Sequence, residues 1–283
     1  MHELYYLNKK TMKRPLLLFL NLVILTSCEL IDSMVNPINN LEKVSEIQDA
    51  LTRIYYDTNG CNWTNSTNWC TSKPFGEWYG LTTDNEGNVI GINLDGNNLK
   101  ADDFHLALSE FPHLKSFSIN NNPIESLSLS SNKNIRMLHL ENCASGRILL
   151  NSFQHVDVVN CNYLYAIDGS VDTLHVRNCN FAREASPFWA TSSVVEIENC
   201  TMDSCGCHSD DLTFINSSSK DSWSAYTTRR LIIDNSVCNG LDNHSFDSNT
   251  HIELNNATVN NKKFTVTFMG KDWERIWDST RTL

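Results

Sequence analysis

The sequence predicts an α/β-type repeat solenoid with a parallel concave sheet, a convex side of loops or short helices, and a helical, aromatic N-terminal cap. Three observations predict it. The spacing apolar-x-x-apolar-x-apolar-x-x-(Asn/Cys) returns along the chain every 17 to 25 residues. An amphipathic segment and a tryptophan cluster stand just before its first copy, and alternating aromatics with two more tryptophans stand just after its last. The 283 residues are 41% hydrophobic and 19% charged, a balance that supports a packed core and excludes a disordered chain.

Residues 1–27 read as an export signal. Lys9, Lys10, Lys13 and Arg14 precede an apolar run from Pro15 to Leu25, and the small residues Thr26, Ser27 and Cys28 follow. The run is interrupted by Asn21 and is too short to cross a hydrocarbon core of about 30 Å as a helix. Leu25-Thr26-Ser27-Cys28 resembles the bacterial lipobox. That resemblance implies cleavage before Cys28, a diacylglycerol on its thiol, and anchoring at the cell envelope, with the outer membrane as the expected destination. Residues 28–39, with Asn36-Pro37, read as a tether between lipid and domain.

Residues 40–88 read as the N-terminal cap. From Asn40, an N-cap residue type, Leu41, Val44, Ile47, Leu51, Ile54 and Tyr55 recur at three- and four-residue spacing, which predicts a helix stopped by Asn59-Gly60. Trp63, Trp69, Trp78 and Tyr79 are too many large aromatics in a polar stretch to be left in water, so they are expected to cover the open end of a stack.

That stack is residues 89–262. Val89, Ile92, Leu94 and Asn97 begin the series. Leu114, Phe117, Ile119 and Asn122 follow; then Ile135, Leu138, Leu140 and Cys143; Phe153, Val156, Val158 and Cys161; and Val171, Leu174, Val176 and Cys179. Weaker copies end at Cys200, Ser217, Ser236 and Ala257, with polar residues from Ser192 to Asn249 at the first position. Each unit alternates as a short strand with one face inward, and stacking at ~4.8 Å pairs successive units into a parallel sheet. The small or amide residue after each strand is expected to satisfy buried backbone groups where the chain turns. Cys143, Cys161, Cys179 and Cys200 then form a core ladder and not a metal site, because their spacing follows the repeat. Residues 263–283 read as the second cap, with Phe264, Val266 and Phe268 on a last strand and Trp273 and Trp277 over the end.

With Asn62-Trp63, Asn68-Trp69, Glu77-Trp78-Tyr79-Gly80-Leu81 and the repeats from Val89, the sequence resembles the leucine-rich repeat family, in its lipid-anchored bacterial type with an aromatic N-terminal cap. The resemblance covers about residues 40 to 268. It implies partner binding on the concave sheet.

The chemistry on that sheet follows from alternation, because residues between the inward ones point outward. The central outward position reads Asn93, Ser118, His139, Asp157, His175, Glu196, Thr213, Ile232 and Glu253. His139, Asp157, His175 and Glu196, flanked by Glu141, His155, Arg177 and Glu198, are the candidate binding residues. The expected partner is a protein or glycan, with membrane contact through the lipid on Cys28. The net charge of −11, with no basic cluster after Arg14, excludes nucleic acid. The chain has no phosphate loop, nucleophile elbow or helix-borne His pair, so no catalytic residue, metal or cofactor is assigned. The alternative to a binding module is a structural or adhesive surface protein without a ligand on the concave face, and the third reading is a metal-binding or catalytic site on the sheet face itself, with His139, Asp157 and His175 sharing an ion. Cys205-Gly206-Cys207-His208 lacks the two-residue gap of haem attachment, and a metal set of Cys205, Cys207, His208 and Asp210 is the weaker reading beside a loop with a disulfide or free thiols. Cys61 and Cys70, outside the ladder in an exported cap, are the disulfide candidates.

Overall fold

The computed structural model describes residues 44–181 and 188–279, with the side chains of 188–191 and 279 left aside. The chain divides into two units, residues 1–49 and 50–283. In the first, residues 44–49 are helical; the signal, Cys28 and the tether lie outside the described residues.

The second unit is a parallel β-solenoid of about eight turns, and its extended segments form three faces joined at corners. The second face carries the repeat consensus. Ile92 pairs with Phe117, Leu138 with Val156, Val156 with Leu174, Leu174 with Val195, Val195 with Leu212, Leu212 with Leu231, and Leu231 with Ile252. The spacing in the sequence is therefore the strand register of the fold. Every one of these inward residues except Phe117 is at most 1% exposed. Burying such side chains contributes roughly 1.5–3 kcal/mol each, which is what holds a sheet stacked only on its neighbours.

The return path corrects the expectation of an α/β-type convex side of loops or short helices. It is made of strands. Ala101–Ala107, Ile124–Ser130 and the early parts of Arg147–Val159, Ala166–Arg177 and Phe188–Glu198 form a first face, again parallel and in register. Asn162–Leu164, Asn180–Phe181, Thr201–Cys205, Ser218–Trp223 and Val237–Cys238 form a third. Packing distance explains the preference. Helices pack about 8–10 Å apart while paired strands stand about 4.8 Å apart, so a helical return must splay the turns where a strand return does not. Ile124-Glu125-Ser126-Leu127-Ser128-Leu129-Ser130 repeats the spacing apolar-x-x-apolar-x-apolar, with Ile124, Leu127 and Leu129 buried and strict alternation from Leu127 on, and serine favours this state over a helix interior.

Corners are set residue by residue. After the second-face strand the chain turns at Asn121, Asn142, Asn160, Asn178, Asn199, Asn216, Asn235 and Asn256, each left-handed with φ between 46° and 58°. Asparagine is the side chain that tolerates this region best after glycine. Their amides stack: Asn142 Nδ2 donates to Asn121 Oδ1 at 3.0 Å, Asn199 to Asn178 at 3.2 Å and Asn256 to Asn235 at 2.8 Å. The corner between first and second faces is reached through Ser152 in one turn and Gly169 in the next, at φ 63° and 125°. A Cβ on Gly169 would sit 1.7 Å from the Leu150 carbonyl oxygen, so no other residue fits there.

One residue past each asparagine, and past the left-handed Gly96 in the first turn, runs the ladder of Asn97, Asn122, Cys143, Cys161, Cys179, Cys200, Ser217, Ser236 and Ala257, all buried. Asn122 donates to the carbonyls of Leu94, Ile119 and Asn120 and accepts from the amides of Asn97 and Leu99. Thiols and hydroxyls do part of the same work. Cys179 Sγ donates to the Arg177 carbonyl at 3.2 Å, Cys200 Sγ to that of Glu198 at 3.2 Å, Ser217 Oγ to that of Ile215 at 2.7 Å and Ser236 Oγ to that of Asp234 at 2.6 Å. Cys200 Sγ accepts the Cys179 amide, Ser217 Oγ that of Cys200, and Ser236 Oγ that of Ser217.

Both ends are covered. At the N-terminal end, helical residues 50–57 lead to a cluster in which Trp63 and Trp69 lie 4.8 Å apart and Trp69 and Trp78 5.4 Å, all three buried; Tyr79 is more exposed. Their indole N–H groups donate to carbonyls of Thr58, Tyr79 and Lys73. At the other end, Lys262–Met269 folds back antiparallel on His251–Val259 through Asn260 and Asn261, both left-handed, the geometry of a two-residue hairpin turn. Trp273 and Trp277 stack at 5.6 Å against Phe268 and Phe264.

Candidate functional site

The outward side of the second face is built by the register that buries its inward side. Asn93 pairs with Ser118, His139 with Asp157, Asp157 with His175, His175 with Glu196, Glu196 with Thr213, Thr213 with Ile232 and Ile232 with Glu253. His139, Asp157, His175 and Glu196 thus stand in one row. Glu141, Arg177 and Glu198 lie along one side of it, one pleat repeat away, and His155 lies on the other, opposite Thr173.

Asp157 is the hub of this row. Its side chain is only 15% exposed, while His155 is 26%, His175 23% and His139 42% exposed. His155 Nε2 lies 3.3 Å and His175 Nδ1 3.2 Å from Oδ1; His139 Nδ1 lies 3.8 Å and an Arg177 guanidinium nitrogen 3.5 Å from Oδ2. One half-buried carboxylate therefore gathers four basic side chains from three successive strands. The row extends outward from it. His175 Nε2 lies 3.2 Å from Glu196 Oε2, His139 Nε2 lies 3.6 Å from Glu141 Oε2, and Glu141 accepts a hydrogen bond from Asn160 of the corner ladder at 2.9 Å. Glu198 takes its place in the register but makes no described ion pair with the hub.

The His155 and His175 rings meet edge to face at 4.6 Å. The sequence places His155 among the flanking residues and His139, Asp157, His175 and Glu196 in the row; the contact of His155 with both Asp157 and His175 brings it into the centre. Next to the row, at the corner with the first face, an open groove of about 430 Å³ is lined by Ser170, Asp172, Ser192, His208, Asp210 and Tyr226, among others. This groove was not foreseen, since it forms where two faces meet and no single strand shows it.

The remaining cysteine expectations are settled by neighbours. The expected Cys61–Cys70 disulfide is not formed: Cys61 is an exposed thiol directed to Asn59 Oδ1, and the half-buried Cys70 is directed to the Thr52 side chain. Cys205 and Cys207 are buried free thiols that contact each other, and they share no metal-ligand cluster with His208 or Asp210 among the described residues. No helix among the described residues is long and apolar enough to cross a membrane. Comparisons with protein-family models, curated proteins and solved structures each gave no match.

Proposed function

We propose that this chain is a non-enzymatic binding module of a bacterial cell envelope, exported, held by a lipid on Cys28 at the outer membrane, and contacting a protein or glycan through the outward second face. The observation that carries the reading is the row from His139 to Glu196. Its ionisable side chains stand in strand register on a solvated face, and they pair with one another while keeping exposed edges. A face that served only as a solvated exterior has no need of a carboxylate shared by four basic groups. The adjoining groove, with two carboxylates, serine hydroxyls and the Tyr226–His208 ring pair, presents the hydrogen-bonding and stacking groups that suit a sugar.

The anchoring part rests on the basic segment, the apolar run and Leu25-Thr26-Ser27-Cys28. The leucine-rich repeat resemblance, with its lipid-anchored bacterial type, belongs to this reading as well. It is supported by the consensus of the first five repeats on the second face, while the strand-built return path separates the backbone from the α/β form of that family.

Glycan-array and envelope-protein binding, measured for the parent and for a triple variant His139→Glu, Arg177→Glu, Glu196→Lys, tests the proposal. Loss of the bound species in the folded variant is expected. Undiminished binding would move the contact elsewhere and favour a structural or adhesive role without a ligand on this face.

A further inference from the structure

We infer that His155, Asp157 and His175 form a binding site for one divalent transition-metal ion of the zinc class. The inference is independent of which partner the face contacts. The three residues offer one ligand atom each, all within 4.8 Å of one another. The two distances to Asp157 Oδ1, 3.3 Å from His155 Nε2 and 3.2 Å from His175 Nδ1, match the roughly 3.3 Å between ligands that tetrahedral coordination at about 2.0–2.1 Å requires. Despite that proximity, Asp157 Oδ1 is buried and accepts no hydrogen bond. The two ring nitrogens approach this oxygen without donating to it, which is the arrangement of atoms gathered around a common point.

The surroundings hold that arrangement. Asp157 and His175 are direct partners on adjacent strands, and His155 shares the strand of Asp157 two residues earlier, so the pleat presents all three on one side. Arg177 lies against Oδ2, which leaves Oδ1 turned to the rings. Glu196 lies 3.2 Å from the far nitrogen of His175; a carboxylate there favours a proton on Nε2 and leaves the Nδ1 lone pair for the ion. Two imidazoles and one carboxylate select zinc-class ions over Mg²⁺ or Ca²⁺, which take oxygen ligands. Water completes the shell on the solvent side. The bound ion ties two successive turns together across the face.

The test uses the purified chain in a Cys61→Ser, Cys70→Ser background, stripped with chelator and titrated with Co²⁺ by visible absorption, then with Zn²⁺ in competition. One ion per chain is expected, without thiolate-to-cobalt charge-transfer absorption. His155→Ala, Asp157→Asn and His175→Ala should each weaken binding by at least about 10-fold, and His139→Ala by less than about 2-fold. Circular dichroism checks that each is folded, and His155→Ala carries the test if the variants within the row are not. Absence of a bound ion, binding through thiolates, or equal affinity in the three variants would overturn the inference.

Discussion

Two ladders run the length of this solenoid four residues apart, one pointing in and one pointing out, and they obey different rules. The inner one reads Asn97, Asn122, Cys143, Cys161, Cys179, Cys200, Ser217, Ser236 and Ala257; the outer one reads Asn93, Ser118, His139, Asp157, His175, Glu196, Thr213, Ile232 and Glu253. Both share the same turns and register. Inside, the side chain is small, and at Asn122, Cys200, Ser217 and Ser236 it meets a carbonyl of its own turn and an amide of the preceding one, so amide, thiol and hydroxyl replace one another with little freedom until Ala257 closes the series without a polar group. Outside, nothing in the backbone constrains the choice, and acids, imidazoles, hydroxyls and an isoleucine succeed each other. Composition is uniform where the fold demands it and varied where a surface can carry chemistry.

The contrast predicts its largest effect in thiol reactivity. Burial pushes the Cys238 thiol well above its ordinary range, and the hydrogen bond to Cys161 together with burial raises Cys143, while the same pairing brings Cys161 down to about 7 and the hydrogen bond with Cys179 lowers Cys200. All four ladder thiols are buried, so access and not acidity sets their rate. Alkylation of the native protein should therefore modify Cys61 first, Cys70 more slowly, and the ladder more than about 100-fold slower, until urea exposes it. Mass mapping of labelled peptides reads this directly, and early labelling of Cys179 would break the inner ladder.

Stability should follow burial and not chemistry. Leu174→Ala removes a fully buried side chain from the stack and should cost about 3–4 kcal/mol in urea unfolding. Asn122→Ala orphans backbone groups of two turns and should cost about 3 kcal/mol. Asn178→Ala, at φ 54°, should cost about 1–2 kcal/mol, and Asn178→Gly less. Cys200→Ser should stay under about 1 kcal/mol because Ser217 fills the same slot one turn on, and Glu196→Gln on the outer ladder should lie within about 0.5 kcal/mol of the parent.

Much of this contrast was legible in the sequence. The consensus gave the second-face register turn by turn, from Ile92 to Ile252, together with the core role of the cysteines and the row from His139 to Glu253. The first and third faces were hidden, although Ile124, Leu127 and Leu129 repeat the consensus spacing, because one such motif per turn already accounts for a repeat and leaves the rest to a convex side. The corner asparagines were equally visible, one before every ladder residue from Asn122 onward, but their role lies in a backbone angle that no hydropathy pattern encodes. His155 stands two residues before Asp157 on the same strand and so shares its face, but its edge-to-face contact with His175 is a diagonal, and a diagonal exists only once strands are paired. Expecting a disulfide between Cys61 and Cys70 failed because position in an exported cap says nothing about where two side chains point.

The division between an inner ladder that holds the fold and an outer row that carries chemistry is tested most directly by a Co²⁺ titration of Cys200→Ala beside His175→Ala. The account predicts that Cys200→Ala binds the ion with the affinity of the parent although it is less stable, while His175→Ala, as stable as the parent, loses at least about 10-fold in affinity. Equal affinities in the two variants, or a loss confined to Cys200→Ala, would contradict it.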